Sequence, residues 1–216
     1  MFTGIVAAVG RIVTTKPLLA GDEDAGLRLR IDAGGLDLSD VAIGDSIAMQ
    51  GACMTVVVLE EGHFEVDVSR ESLNLTVGLS APGEVNLEKS LRMGDPLGGH
   101  LVSGHVDGMG DVLRFDAVGE SRELVIRVPE SLAKFLAYKG SVTVNGISLT
   151  VNRVEDTPDG CEISINIIPH TQEVTTLRHV RPGDRVNLEI DTIARYVERM
   201  MSAGAADGDS RSVAWL

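Results

Sequence analysis

Two residues able to do covalent or proton-transfer chemistry occupy the same place in an internal repeat. Residues 44–56 (GDSIAMQGACMTV) recur as residues 139–151 (KGSVTVNGISLTV), which aligns Cys53 with Ser148. A thiol and a hydroxyl at this position could hydrogen-bond a ligand, or supply a nucleophile if the pKa of the thiol is lowered. The alternative for Cys53 is a buried structural cysteine. No triad spacing surrounds either residue, so the sequence leaves both interpretations open.

A histidine marks a second difference between the copies. Residues 3–6 (TGIV) match residues 103–106 (SGHV), so that His105 replaces Ile5. Histidine titrates near neutral pH and suits general acid–base catalysis; an exposed histidine without a role is the alternative. His100 lies nearby, but a His-x4-His spacing without further ligands is a poor metal signature. We therefore predict no metal site.

The elements that position these residues are short strands. Apolar residues alternate with polar ones in several runs, and turns such as Pro82-Gly83 separate the runs. This pattern predicts an all-β fold of two tandem, similar, six-stranded antiparallel barrels. We expect a brief helix before the central strand of each barrel. The predicted divisions are residues 1–97 for barrel 1, 98–190 for barrel 2, 191–204 for a C-terminal helix and 205–216 for a disordered tail.

Composition excludes several classes of function. The formal charge of -13 argues against binding to nucleic acid or to an anionic membrane surface. The two cysteines stand at non-equivalent positions, which indicates neither a disulfide framework nor a zinc site and suits a reducing cytoplasm. No apolar run approaches the length of a membrane span.

Three motifs in one order resemble the riboflavin synthase family: MFTGIV at residues 1–6, GGHLVSGHVDG at 98–108 and NGISLTV at 145–151. The resemblance spans roughly residues 1 to 200. It implies Greek-key barrels and a C-terminal helix that joins three subunits, with active sites between subunits. It also implies a transferase that exchanges a four-carbon unit between two molecules of 6,7-dimethyl-8-ribityllumazine, without cofactor or metal. Lumazine synthase is a further partner that the resemblance raises.

The resemblance also implies substrate-binding residues in each barrel. For the first barrel these are Phe2, Gly4, Ile5, Val6, Ser46, Cys53, Met54, Thr55, Asp67, Val68, Ser69, Arg70, Glu71 and Ser72. For the second barrel they are Gly104, His105, Val106, Lys139, Ser148, Leu149, Thr150, Asn166, Ile167, Ile168, Pro169, His170 and Thr171. Catalytic roles are expected for His105 and Ser148 in proton transfer, and for Cys53 in positioning or nucleophilic attack.

Two other functions fit the same motifs. A non-catalytic binder, similar to the lumazine proteins of luminous bacteria, would keep the fold and use one pocket. A double-barrel scaffold without a small ligand would leave His105 and the contrast between Cys53 and Ser148 unexplained. The fold alone does not choose among them. The lumazine proteins lose parts of the segments equivalent to residues 2–4 and 100–105, whereas this chain keeps both, which favours the enzyme.

Overall fold

The computed structural model describes residues 1–22 and 24–206, and the first half of the chain forms a closed antiparallel barrel. Its strands run in the order β1-β2-β5-β4-β3-β6 around the barrel. They are β1 (Ala8–Pro17), β2 (Leu27–Asp32), β3 (Ser46–Met49), β4 (Ala52–Glu60), β5 (His63–Val68) and β6 (Gly83–Lys89). Helix α1 (Arg70–Leu75) follows β5.

The second half repeats this barrel strand for strand. Its strands are β7 (Gly108–Val118), β8 (Ser121–Pro129), β9 (Ser141–Val144), β10 (Ile147–Thr157), β11 (Gly160–Ile167) and β12 (Arg185–Ile190). Three further elements belong to it: helix α2 (Glu130–Ala133), helix α3 (Pro169–Val174) and a 3-10 helix (Thr176–His179). The predicted fold of two six-stranded barrels is confirmed.

The expectation of a helix before each central strand holds for one barrel only. In the second barrel, α2 precedes β9 and buries Leu132. In the first barrel, residues 33–45 form turns, in which Asp37 accepts a hydrogen bond from the backbone N–H of Ser39 at 2.9 Å. Short polar side chains that bond the local backbone favour turns over helix, and this explains the difference.

Helix α4 (Thr192–Ala206) closes the described part of the chain. Asp191 precedes it and accepts the backbone N–H of Ile193 at 2.8 Å, as expected of a residue that starts a helix. Residues 207–216, most of the predicted tail, lie outside the described residues.

The interior of each barrel is filled by the alternating apolar residues. Leu29, Ile31, Phe64 and Val66 have no exposed surface in the first barrel. Leu124, Ile126, Ile163 and Ile165 fill the second barrel in the same way. Each strand therefore presents one face to its own core, which fixes the register of its neighbours.

The barrels meet through the tips of two equivalent hairpins. Gln50-Gly51 and Asn145-Gly146 have positive φ at all four residues, as a type I′ turn requires. The side-chain Nδ2 of Asn86 donates to the carbonyl of Asn145 at 2.8 Å. In the reciprocal bond, Nδ2 of Asn187 donates to the carbonyl of Gln50 at 2.9 Å. These paired bonds relate the barrels by an approximate twofold axis.

Candidate functional site

Each barrel has a slot where two neighbouring strands stop pairing. In the first barrel, β4 pairs with β5 only from Val56 and Val66 toward their connecting turn. Residues 53–55 pair with β3 instead, and Asp67 and Val68 pair with β2. Within residues 1–22 and 24–206, no ladder spans the gap between these two stretches. Backbone groups on the facing edges of these stretches can therefore hydrogen-bond a polar ligand, apart from the N–H of Cys53, which donates to the carbonyl of Gly104.

The second barrel has the equivalent slot. There β10 pairs with β11 only from Val151 and Ile165 onward. Residues 148–150 pair with β9, and residues 166 and 167 pair with β8. The slots thus bring together the predicted residues 53–55 with 67–72, and 148–150 with 166–171. A β-bulge lies beside each slot, between Val56 and Val58 in β4 and between Val151 and Arg153 in β10. Each bulge bends its strand close to the point where the pairing with the neighbouring strand ends.

The segments that precede β1 and β7 cross to the opposite barrel. The carbonyl of Gly4 accepts the N–H of Ser148, and the carbonyl of Gly104 accepts the N–H of Cys53, each at 2.7 Å. Val6 packs against the core of the second barrel, and Val106 against that of the first. The structure therefore packs Gly4 and Val6 against the second barrel and Gly104 and Val106 against the first, the reverse of the expected grouping. Which ligand each segment contacts stays a prediction.

This crossing has a physical cause in the two glycines. A Cβ on Gly4 would lie 2.6 Å from Cβ of Ser148, and one on Gly104 would lie 2.7 Å from Cβ of Cys53. Both glycines also have φ near +80°, which side chains disfavour. Only glycine lets the crossing backbone approach the opposite strand so closely.

Two buried glutamates hold the crossing segments in place. The carboxylate of Glu88 accepts the N–H of Thr3 at 2.6 Å and that of Gly4 at 2.9 Å. Glu189 accepts the N–H groups of residues 103, 104 and 105 at 2.6, 3.0 and 3.0 Å. Burial raises the pKa of both carboxyl groups, that of Glu189 to about 7. Each glutamate ends a VNLE segment, at residues 85–88 and 186–189, and the recurrence of this segment is the sequence signal that could have found them.

The second slot contains a chain of polar side chains that sequence reasoning missed. Nδ1 of His100 lies 2.7 Å from Oγ of Ser148, and its Nε2 lies 3.2 Å from Oγ1 of Thr143. Burial lowers the pKa of His100, while the charge of Asp191 opposes that shift. His100 is therefore a neutral imidazole at pH 7 that can accept the proton of the Ser148 hydroxyl.

The first slot is apolar at the equivalent place. Cys53 stands opposite Ala48 in the ladder, just as Ser148 stands opposite Thr143. Cys53 packs against a small cluster that contains Phe2 and Val102, and Phe2 is fully buried. Phe2 therefore supports Cys53 from within the protein, and its contact with substrate stays a prediction. The two slots have one architecture and different chemistry.

His105 and Ser148 do not share a slot. The side chain of His105 is exposed, and its backbone belongs to the crossing segment that lies against Cys53. Ser148 is bonded to His100 instead. The two residues expected to transfer protons are therefore distributed between the two slots.

The other predicted residues divide into buried and exposed groups. Met54, Val68 and Ile167 point into the cores, so that only their backbone can meet a ligand. Residues with exposed or half-exposed side chains are Ile5, Thr55, Asp67, Ser69, Glu71, Ser72, Lys139, Leu149, Thr150, Asn166, Ile168, Pro169, His170 and Thr171.

Several of these side chains are already engaged within the protein. Asp67 accepts two hydrogen bonds from Arg28 at 2.7 and 2.8 Å. Ser69 caps α1, and Arg70 donates to the carbonyl of Ala25 at 2.5 Å. Pro169 occupies the start of α3, where its missing N–H costs nothing. These residues shape the ends of the slots.

A cavity of about 640 Å³ lies beside the first barrel. Thr3, Ile5, Ser46 and Lys89 are among its lining residues. Ser46 stands opposite Thr55 across the ladder, so the cavity adjoins the first slot. It brings together the predicted residues Ile5 and Ser46.

In the described ranges, no three His, Cys, Asp or Glu side chains cluster as metal ligands would. No helix in the same ranges has the length and apolar character needed to cross a membrane.

The chain is similar to a family of known proteins along both barrels. A family model described as the lumazine binding domain matches residues 3–90 and again residues 103–191. The riboflavin synthase of Mycobacterium bovis is 45% identical over 210 residues, which cover 94% of this chain and 100% of the relative. That of Photobacterium phosphoreum is 42% identical over 205 residues, which cover 93% and 89%.

Among solved structures, LumP complexed with riboflavin matches with a TM-score of 0.75 at 25% identity, covering 88% of this chain and 99% of that one. Two lumazine-binding domains in tandem thus define the class of protein. The chain belongs to the lumazine-binding family that includes the riboflavin synthases.

Proposed function

We propose that the chain catalyses the riboflavin synthase reaction. Two molecules of 6,7-dimethyl-8-ribityllumazine exchange a four-carbon unit, which yields riboflavin and 5-amino-6-(D-ribitylamino)uracil in the final step of riboflavin biosynthesis. The pair of like slots with unlike side chains carries this proposal. Because both substrates are the same molecule, only a difference between their binding sites can make one the donor and the other the acceptor.

The second slot is suited to proton transfer. The C7 methyl group of the lumazine is acidic because its carbanion is delocalised into the ring system, so a modest base suffices. Ser148 is hydrogen-bonded to the neutral imidazole of His100 and can pass a proton to Nδ1 while taking one from substrate. In this tautomer Nε2–H donates to Thr143, which orients the ring.

In the first slot, we assign proton transfer to His105 and positioning or nucleophilic attack to Cys53. The crossing segment places His105 next to Gly104, whose carbonyl is bonded to Cys53. Exposure of the imidazole allows it to reach a ligand held by residues 53–55 and 67–72. Substrate would then meet side chains from both halves of the chain in each slot.

Substitution in the second slot tests the chemistry. We expect Ser148→Ala and His100→Gln each to lower the turnover of lumazine to riboflavin by about 10²–10⁴-fold. Riboflavin fluorescence measures the turnover. His63→Gln, at the start of β5 in the first barrel, is the matched control and should leave the rate unchanged. Full turnover by both second-slot variants would remove their proposed role.

The assembly proposed for the enzyme is a homotrimer with active sites between subunits. Ile193, Tyr196, Val197 and Met200 form one face of α4, and each is about half exposed or more. This apolar face fits association of the helix with copies of itself. Holding two lumazines face to face would then supply about 7–11 kcal/mol of the barrier at most.

Truncation tests the assembly. Deleting the chain after Asp191 should give monomers with poor activity, and deleting only residues 207–216 should not. Light scattering at assay concentration reports the mass in both cases. Active monomers would rule out a site shared between subunits.

A riboflavin or lumazine binder without activity is the second candidate, and the match to LumP favours it. Tight binding of lumazine without riboflavin formation would select the binder over the enzyme. For the enzyme we also propose a location in the cytoplasm and catalysis without cofactor or metal. Association with lumazine synthase remains a prediction that co-sedimentation of the two proteins can test.

A further inference from the structure

A second cavity, of about 650 Å³, lies between the two barrels. Gln50 and Asn145, the residues at the two hairpin tips, belong to its lining, together with Arg11, Glu84, His179 and Arg185. It shares no residue with either slot or with the cavity beside the first barrel. Its volume falls in the range typical of small-molecule sites.

The side-chain NH₂ groups of two amides at the hairpin tips donate no hydrogen bond within the described residues. Oε1 of Gln50 accepts the backbone N–H of Asn86 at 2.8 Å, and Oδ1 of Asn145 accepts that of Asn187 at 2.8 Å. These bonds fix which end of each amide is the NH₂ group. Among the described residues, neither Nε2 of Gln50 nor Nδ2 of Asn145 has an acceptor.

Both side chains are largely buried but border the cavity: Gln50 is 7% exposed and Asn145 is 4% exposed. Their amide nitrogens are not among the fully buried, unpartnered polar atoms of the described residues, so each keeps accessible surface. An oxygen-bearing ligand in the cavity can therefore accept hydrogen bonds from both groups.

The rim of the cavity carries positive charge on a protein that is strongly acidic overall. Arg11 and Arg185 both line the cavity with exposed side chains. In the part of the chain that the structure describes, Arg11 has no hydrogen-bonding or ion-pair partner, and Arg185 contacts only the sulfur of Met109 at 2.7 Å.

The acidic groups of the cavity are already engaged. Glu84 accepts hydrogen bonds from Arg178 at 2.7 Å and from His179 at 2.8 Å. Asp184 accepts the backbone N–H of Arg181 at 2.7 Å. Arg178 offsets the charge of Glu84, whereas Asp184 keeps its negative charge, so Arg11 and Arg185 leave the lining with a net positive charge to meet an incoming anion.

We propose that this cavity binds a small phosphate monoester. Its phosphate group meets Arg11 and Arg185, and its carbonyl or hydroxyl oxygens accept from Gln50 and Asn145. Two guanidinium groups, one from each barrel, match the charge of a phosphate dianion and its several acceptor oxygens. The cavity is larger than a bare phosphate ion needs, which leaves room for the organic part. The site is independent of the lumazine slots.

Side-chain amide resonances provide the test. The full-length protein is titrated with ribose 5-phosphate, with inorganic phosphate and with ribose, and the NH₂ signals of Gln50 and Asn145 are followed by NMR. We expect saturable shifts with ribose 5-phosphate. Arg11→Gln and Arg185→Gln should each weaken binding about tenfold, because each removes a charge-assisted contact. Arg114→Gln, an exposed arginine of the second barrel, is the matched control and should bind as before.

The proposal is overturned by the absence of saturable shifts with ribose 5-phosphate, by equal shifts with ribose alone, or by equal binding by the rim variants and the control. Binding of inorganic phosphate without movement of the amide signals would also contradict it. The arginine substitutions lie at the surface, so thermal unfolding at the same temperature as the parent protein shows that a loss of binding is not a loss of fold.

Discussion

The contact between the two hairpin tips should make Gly146→Ala strongly destabilising. A Cβ at this position would lie 2.8 Å from the backbone nitrogen of Gly51 and 3.1 Å from its Cα. Because these are backbone atoms, no side chain can turn aside to relieve the contact. The barrels must separate locally, which stretches the two buried bonds that Asn86 and Asn187 donate across the interface.

The expected loss has two parts. Gly146 has φ of +82°, and placing alanine in this region costs about 1–2 kcal/mol. Breaking one buried amide bond costs about 1–3 kcal/mol more, because Asn86 and Asn187 are almost fully buried and leave an unsatisfied group. The free energy of unfolding should therefore fall by about 2–5 kcal/mol.

Urea denaturation at one fixed protein concentration measures this loss. Gly62→Ala is the matched control, since Gly62 also lies in a hairpin turn with φ of +69° but a Cβ there would meet no atom within 4 Å. Gly62→Ala should lower the free energy of unfolding only by the cost of alanine at positive φ, about 1–2 kcal/mol. Gly51→Ala should repeat the large effect from the other side. If Gly146→Ala costs no more than Gly62→Ala, the hairpin tips do not hold the barrels together.

Two further predictions concern the crossing segments. The pKa of Glu189 is about 7 in the folded protein and 4.5 in an ordinary glutamate. Between these pH values the folded state binds a proton that the unfolded state has lost. The free energy of unfolding should therefore fall as pH rises from about 4.5 to 7, by about 3 kcal/mol at most. Glu189→Gln should flatten this slope in thermal unfolding measured across pH, and an unchanged slope would remove Glu189 as its source. Gly104→Ala should displace residues 102–106 from the first slot and reduce the lumazines bound per chain from two to one by fluorescence titration; two bound lumazines would contradict this.

Much of the fold was readable from the sequence because it depends on local patterns. Alternation of apolar residues, as at Leu29 and Ile31, reports which face of a strand is buried. The repeat then requires that both halves adopt one architecture. Asp191 marked the start of α4 because a helix cap acts on the next few residues.

The composition of the site was less predictable because it depends on contacts between distant residues. His100 and Ser148 are 48 positions apart, and no spacing rule connects them. The crossing of the first segments was also hidden. Gly4 and Gly104 are equivalent in the repeat, so either could pack on either barrel, and the sequence alone does not choose.

The crossing also gives the doubled architecture a consequence for catalysis. If each barrel bound its ligand with its own residues alone, the two slots could diverge only through changes within one copy. Because Gly4 lies on Ser148 and Gly104 on Cys53, each slot is closed by a segment of the other copy. His105 stands in the segment that closes the first slot, and Ile5 stands in the segment that closes the second. The difference between Ile5 and His105 in these equivalent segments therefore changes the slot of the opposite barrel, not that of the barrel that follows each segment in sequence. In the proposed reaction, two identical substrates would therefore meet different side chains in the two slots, as a donor and an acceptor require.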